Sequence, residues 1–217
     1  MNMTMAEARE RNDEIVAFLD AALTNRIVSY RGKYFSFSNL RLLPRPLQQP
    51  FPPRWMTVIS ADSARRAARR RIKISTGFNA TPLIKKIFDA YREEADALGF
   101  AAGPEYFALR RRVTVAPTRD QAHVYANAVT ERLKSFVTED ERLSTQAPDA
   151  PAASGGFTLS DDEFITGTPK EAAIIEQCRA VGAGHFLTVL NWSAPVDEVA
   201  RAHDLFGREA IPLLRKA

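Results

Sequence analysis

The sequence is poor in the residues that usually carry disulfide, metal and nucleophile chemistry, with one cysteine and three histidines in 217 residues. A single cysteine, Cys178, excludes an internal disulfide and any cysteine-based metal site. In AAIIEQCRAVG it reads as a small core residue rather than a reactive thiol. No apolar run approaches the length of a membrane span. The polar start (Glu7, Arg9, Glu10, Arg11, Asp13, Glu14) does not read as a signal peptide. A cytoplasmic protein without a membrane partner is therefore expected. A basic stripe interleaved with aromatics is also missing, although the net charge is +4. The dense run Arg65, Arg66, Arg69, Arg70, Arg71 has helical spacing around Ala64, Ala67 and Ala68, which makes it a solvated outer face. No nucleic-acid partner is expected from that pattern.

Nor does a catalytic set stand out. His185 at a strand start reads as a hydrogen-bonded structural histidine, and His123 and His203 fall on expected helices as surface groups. Asp161, Asp162 and Glu163 read as a solvated turn, since no histidine or fourth oxygen ligand has the spacing a metal needs. Trp192, just past the last expected strand, reads as core or rim packing.

What is present is an ordered alternation. With 45% hydrophobic and 26% charged residues, the chain has the composition of one globular domain with a core. Ile15, Phe18, Leu19, Ala22 and Leu23 recur at helical spacing, predicting an amphipathic helix over 4–24. RIVSYRGKYFSF predicts a β-hairpin about Arg31-Gly32. Pro44, Pro46, Pro50, Pro52 and Pro53 make the segment up to residue 53 an extended connector. From residue 54 four strand-helix units follow: strands 54–60, 72–77, 108–116 and 185–191, each leading into a helix (62–70, 82–98, about 118–136, about 196–215). Thr81 is the expected cap of the second helix, and Thr168-Pro169 opens a further one that ends at Gly182. Residues 138–156, rich in Pro, Ala, Ser and Gly, interrupt the pattern as a flexible insertion. Serial strand-helix units predict an α/β fold with parallel strands.

The segment QQPFPPRWMTVISADSARRAARRR, residues 48–71, concentrates the chemistry. A strand that stops at Ser60 and turns into a helix capped by Asp62 or Ser63 aims backbone N–H groups and a helix dipole at one volume, where an anion binds. An ordinary capped crossover helix is the alternative.

The wording around that turn resembles the luciferase-like flavin monooxygenases: GKYFSF (32–37), LPRPLQQPFPPRW (43–55) and SADSARRAA (60–68). LRRRVTVAPTRDQA (109–122), ITGTPKEAA (165–173), GAGHFLTVL (182–190) and DLFGREAIPLLR (204–215) continue it in order, so it covers almost the whole chain. The resemblance implies a (β/α)8 barrel in which reduced flavin, FMN or a deazaflavin, and dioxygen oxidise a small organic substrate. It places Ser60, Ala61 and Ser63 on the flavin phosphate and has Asp62 cap the helix instead. It also implies glycine where Arg71 stands.

A complete barrel needs eight strand-helix units. Four are visible, and by resemblance they are the fifth to eighth. The expectation is thus a partial TIM barrel: residues 1–53 as helix, hairpin and connector, and 54–217 as the C-terminal half. Micromolar flavin affinity requires about 8 kcal/mol. A helix N-terminus gives an anion roughly 0.3 to 2 kcal/mol and each charged hydrogen bond about 1.5 to 3 kcal/mol, so the phosphate turn supplies about half. Either the half-barrel contributes to a flavin enzyme, or it works without catalysis, as a homo-oligomer or paired with a separate N-terminal half.

Overall fold

The computed structural model describes residues 3–77, 79–128, 130–131, 161–169, 174–190 and 195–214. Two compact units divide the chain, residues 1–54 and 55–217.

In the first unit, helix α1 (Met5–Thr24) starts one residue later than its periodicity predicts, because Thr4 stands outside it as the cap and accepts the Glu7 N–H at 3.2 Å. Strands β1 (Val28–Arg31) and β2 (Ser36–Leu40) form the expected antiparallel hairpin. Phe18, Ala22 and Val28 are its core, and the Phe18 ring lies 4.5 Å from Phe37 and 5.5 Å from Tyr30. One carboxylate fixes the hairpin turn: Glu14 accepts the backbone N–H groups of Lys33, Tyr34 and Phe35 at 2.8–3.1 Å. The connector holds the other end of α1, where the Arg45 guanidinium donates to the carbonyls of Ala22, Leu23 and Asn25. A cation on those unpaired carbonyls complements the helix dipole.

The second unit is a parallel sheet with helices on one face. Its strands are β3 (Trp55–Thr57), β4 (Lys73–Thr76), β5 (Phe107–Val115), β6 (Phe164–Gly167) and β7 (His185–Leu190). Every pairing is parallel: β3 with β4, β4 with β5, and β5 with both β6 and β7. Leu109 faces both Thr76 and Phe186, and Arg112 faces both Phe164 and Val189. Strands β4 and β6 therefore share one edge of β5, β6 taking over where β4 stops, and β7 runs along the other. The short β6 is absent from the sequence reading. Its four residues pair only with the end of β5 that outruns β4, which no local pattern announces. The sheet is not closed among the described residues, as a partial barrel requires.

Alternation sorts the side chains. Val58, Ile74, Phe107 and Leu109 pack with α2 (Ala61–Arg69), α3 (Thr81–Ala97) and Val181 of α5 (Ile174–Val181). Val113, Val115, Ile165 and Leu190 pack with Ile174 and with Ala202 of α6 (Val196–Leu205), beyond which a π-helical turn (Phe206–Ala210) and α7 (Ile211–Leu214) follow. Between these elements, α4 covers 119–128. The odd residues of β5 thus face the helices, and the even ones face the opposite, inner side. Small Ala64, Ala67 and Ala68 let α2 approach the sheet. Arg65 and Arg69 of the arginine run face outward, as their spacing predicts, on Glu93 and Glu94 of α3, whereas the Arg70 Nη1 is buried. Cys178 is half-buried, and burial pushes its thiol up to about 11, so it is unreactive at neutral pH. The 138–156 insertion and Trp192 lie outside the described residues, as do parts of the helices expected to end near 136 and to begin at Pro169.

Arg71 occupies the position where the family resemblance implies glycine, and its φ is +52°. Its guanidinium lies 4.8 Å over the Phe100 ring. Left-handed backbone costs a side chain about 1–2 kcal/mol, and an exposed cation-π contact returns about 0.5–1 kcal/mol. Arg71→Gly is therefore expected to leave stability within about 0.5 kcal/mol, whereas the β-branched Arg71→Val loses the contact and adds strain at this φ, about 1–2 kcal/mol in all. Urea unfolding of the two variants checks the difference.

Candidate functional site

Ser60 sits three residues past β3 and caps α2, at the end of the sheet where all the parallel strands finish. The cap is reciprocal. Ser60 Oγ accepts the Ser63 N–H at 3.2 Å, the Ser60 N–H donates to Ser63 Oγ at 3.2 Å, and the two hydroxyls are 3.0 Å apart. This is a capping box built from two serines. Asp62, one of the two expected caps, does not cap. Its carboxylate lies 3.5 Å from Arg66 one turn along the helix, because Ser60 already occupies the capping geometry. Ser63, the other, contributes from inside the helix rather than as the cap. The N–H groups of Ala61 and Asp62 have no protein acceptor among the described residues. The three residues singled out by sequence are thus brought together at a helix start with two donors to spare, and the neighbouring carboxylate is drawn off by an arginine. That donor set fits a phosphate.

A second polar cluster lies on the sheet, and sequence reading missed it. Arg110 and Arg112, both on the inner side of β5, converge on Glu163, whose side chain is 0% exposed. Arg110 Nη1 is 3.5 Å from Glu163 Oε1, and Arg112 pairs with the same oxygen. Burial holds both guanidinium groups below their ordinary range, and proximity to Arg110 adds to the effect at Arg112, which falls to about 10. Gly77 at the end of β4 makes room for this: a Cβ there would lie 2.9 Å from the Arg110 carbonyl oxygen and 3.0 Å from its Cβ.

On the helix side Arg111 is fully buried, donating to Gln177 at 2.7 Å and to Thr81 Oγ1 at 3.1 Å. Asp162 accepts the Thr81 N–H at 2.8 Å. The helix start expected to be capped by Thr81 is capped from 81 residues away, Ala80 being the boundary residue. The turn expected to be solvated is instead a rivet through the sheet, Asp162 gripping one side and Glu163 the other. The signal was the Arg110-Arg111-Arg112 run in a strand, which requires polar partners on both faces.

The Thr81 N–H holds the Asp162 carboxyl below its ordinary range. A depressed folded value means that its stabilisation is present above the unfolded value of about 3.9 and is lost as pH falls through the folded one. The stability gap between wild type and Asp162→Asn should be constant above about pH 5 and close below about pH 4, measured by urea unfolding across that range.

The three histidines stand apart from the serine turn and the arginine cluster in sequence and lie on other elements. His123 and His203 are exposed on α4 and α6, as expected. His185 is exposed too, its ring 5.0 Å edge-on from Trp55, so a ring contact replaces the expected hydrogen-bonded role. Among the described residues no group of His, Cys, Asp and Glu is placed to hold a metal, and no helix is long and apolar enough to cross a membrane. A cavity of about 710 Å³ lies between α4 and α6, lined by Pro117, Gln121, Tyr125, Arg201 and Arg208. None of the serine-turn residues lines it, and its arginines pair with Asp197, Glu198 and Asp204.

Compared with known proteins, residues 1–183 match the family model described as luciferase-like monooxygenase. An FMNH(2)-dependent dimethylsulfone monooxygenase of Pseudomonas putida is 26% identical over 226 residues, covering 97% of this chain and 59% of its own length. Among solved structures, a monooxygenase from Streptomyces bottropensis aligns with TM-score 0.74 at 23% identity, over 98% of this chain and 63% of that one. The oxygenating constituent of 3,6-diketocamphane monooxygenase from a Pseudomonas putida plasmid, solved with FMN, aligns with TM-score 0.66 at 19% identity, over 94% and 63%. The chain thus spans little more than half the length of the proteins it matches.

Proposed function

From a chain that belongs to the luciferase-like monooxygenase family, we infer a part in flavin-dependent oxidation of a small organic substrate, acting in the cytoplasm as the C-terminal half of a barrel. The observation that carries this is the Ser60–Ser63 turn, an anion-receiving helix start at the strand ends. The Ala61 and Asp62 N–H groups would hold the flavin phosphate with the Ser60 and Ser63 hydroxyls, Ser60 giving up its bond to Ser63 Oγ and Ser63 its bond to the Ser60 carbonyl. When bound, reduced flavin would supply the electrons that take one oxygen atom of dioxygen to water while the other goes to the substrate. The chain's own part is to anchor and orient that cofactor. FMN is the reading that the relatives favour, and a deazaflavin shares the phosphate chemistry.

The partner is read from the same sheet. Strands β3 and β7 each have one neighbour among the described residues, so the barrel is closed by another copy or by a complementing N-terminal half.

Ser60→Asp tests the phosphate site cleanly, because aspartate caps a helix as well as serine does but repels a phosphate. Wild type is expected to quench FMN fluorescence at lower protein concentration than riboflavin fluorescence, and Ser60→Asp to abolish that preference with an unchanged melting temperature. Equal affinity of wild type for FMN and riboflavin would remove the phosphate site.

A further inference from the structure

No stretch of sequence interleaves cations with aromatic rings, yet the fold assembles such a group. Trp55, Lys73 and His185 are the first residues of β3, β4 and β7, and Tyr106 directly precedes β5. Arg71 and Phe100 lie in the connections that lead from α2 into β4 and from α3 into β5. All six therefore stand at the N-terminal end of the parallel sheet, away from the serine turn. Contacts join them into one row. The Arg71 guanidinium lies 4.8 Å over the Phe100 ring, whose centroid is 5.9 Å from that of Tyr106. The Lys73 ammonium lies 5.9 Å from the Tyr106 ring and 5.5 Å from the Trp55 ring, which His185 meets edge-on.

Neither Arg71 nor Lys73 pairs with a carboxylate among the described residues, and both rest on rings instead. Glu105, the acid beside Tyr106, is turned back over Gly103, where a Cβ would lie 2.4 Å from its Oε2. A cation on the face of a ring keeps its N–H donors for a further partner. Arg71 also holds a left-handed backbone, φ +52°, whose cost the Phe100 contact does not repay in full. Beside these donors Trp55, 40% exposed, offers an open aromatic surface. Free cationic donors next to an open ring match a phosphate joined to a planar base. We propose that this end of the sheet binds a nucleoside monophosphate, its phosphate on Arg71 and Lys73 and its base against Trp55. Two cations and one open ring suit a single nucleotide rather than the repeating unit of a nucleic-acid strand. The site is separate from the serine turn and does not rest on the flavin reading.

The test is the fluorescence of the full chain carrying Trp192→Phe, which leaves Trp55 as the only tryptophan, titrated with AMP and with adenosine. AMP is expected to quench at a concentration about tenfold or more below adenosine, the phosphate adding at least one charge-assisted hydrogen bond. Lys73→Gln and Arg71→Gln should each weaken AMP by about tenfold, for the same reason. Lys86→Gln, exposed on α3, should leave it unchanged. Circular dichroism of each variant separates lost binding from lost folding. Added salt should weaken AMP and not adenosine, a readout that needs no further substitution. Equal quenching by AMP and adenosine, AMP quenching insensitive to salt, or AMP quenching indifferent to both Lys73→Gln and Arg71→Gln would each overturn the proposal. So would its loss in Ser60→Asp, which would put the nucleotide on the serine turn.

Discussion

Replacing Glu163 by alanine is expected to lower the unfolding free energy by about 3–5 kcal/mol, the cost of leaving a buried charge without its partner. Glu163 is fully buried, and two guanidinium groups share its Oε1. Its removal takes from both Arg110 and Arg112 the buried carboxylate oxygen on which they converge. An ion cluster replaced as a whole need not cost what breaking it costs. The triple variant Arg110→Met, Arg112→Met, Glu163→Leu should therefore recover most of the stability lost by Glu163→Ala. Urea midpoints with unchanged m-values report both. A single variant that costs under about 1 kcal/mol, the scale of a surface pair, would mean that the cluster is not the rivet described here.

The second large effect is expected in the first unit. Glu14→Ala should cost about 3 kcal/mol, since charged hydrogen bonds contribute about 1.5–3 kcal/mol each and three N–H groups converge on this carboxylate without adding fully. Gly32 is part of the same device. A Cβ at residue 32 would lie 2.0 Å from Glu14 Oε1 and 2.4 Å from its Cδ, so Gly32→Ala must push the carboxylate off the turn and should cost nearly as much. The two substitutions break one interaction, and the double variant should be no worse than Glu14→Ala alone, a non-additivity expected of groups in contact. Thermal and urea unfolding of the three variants would show it. Additive costs would separate the glycine from the carboxylate.

Both sites bear on how much the sequence discloses. Helix α1, the hairpin, four of the five parallel strands and the helices after them were legible, because each buries one face and the period of its apolar residues gives it away. The anion turn was legible as a location: Ser60, Ala61 and Ser63 do meet at a helix start. Which residue caps it was not legible from composition. Serine and aspartate are near-equal caps, and Ser60 prevails over Asp62 because it is the residue that stands outside the helix with extended backbone. The acidic run Asp161–Glu163 was misread for another reason. Charged residues before a strand are usually solvated, and only the pairing of β6 with the far end of β5 brings Glu163 against Arg110 and Arg112.

By itself, then, the sequence determined the local elements, their order, the parallel α/β class and the position of the serine turn, since these depend on spacing and on neighbours a few residues away. Tertiary structure alone decided which distant residues meet the buried charges, the extra strand and which side chains share the inner face. Those depend on which residues distant in sequence share one strand register, and a register is fixed by burial across the whole sheet rather than by any stretch of chain.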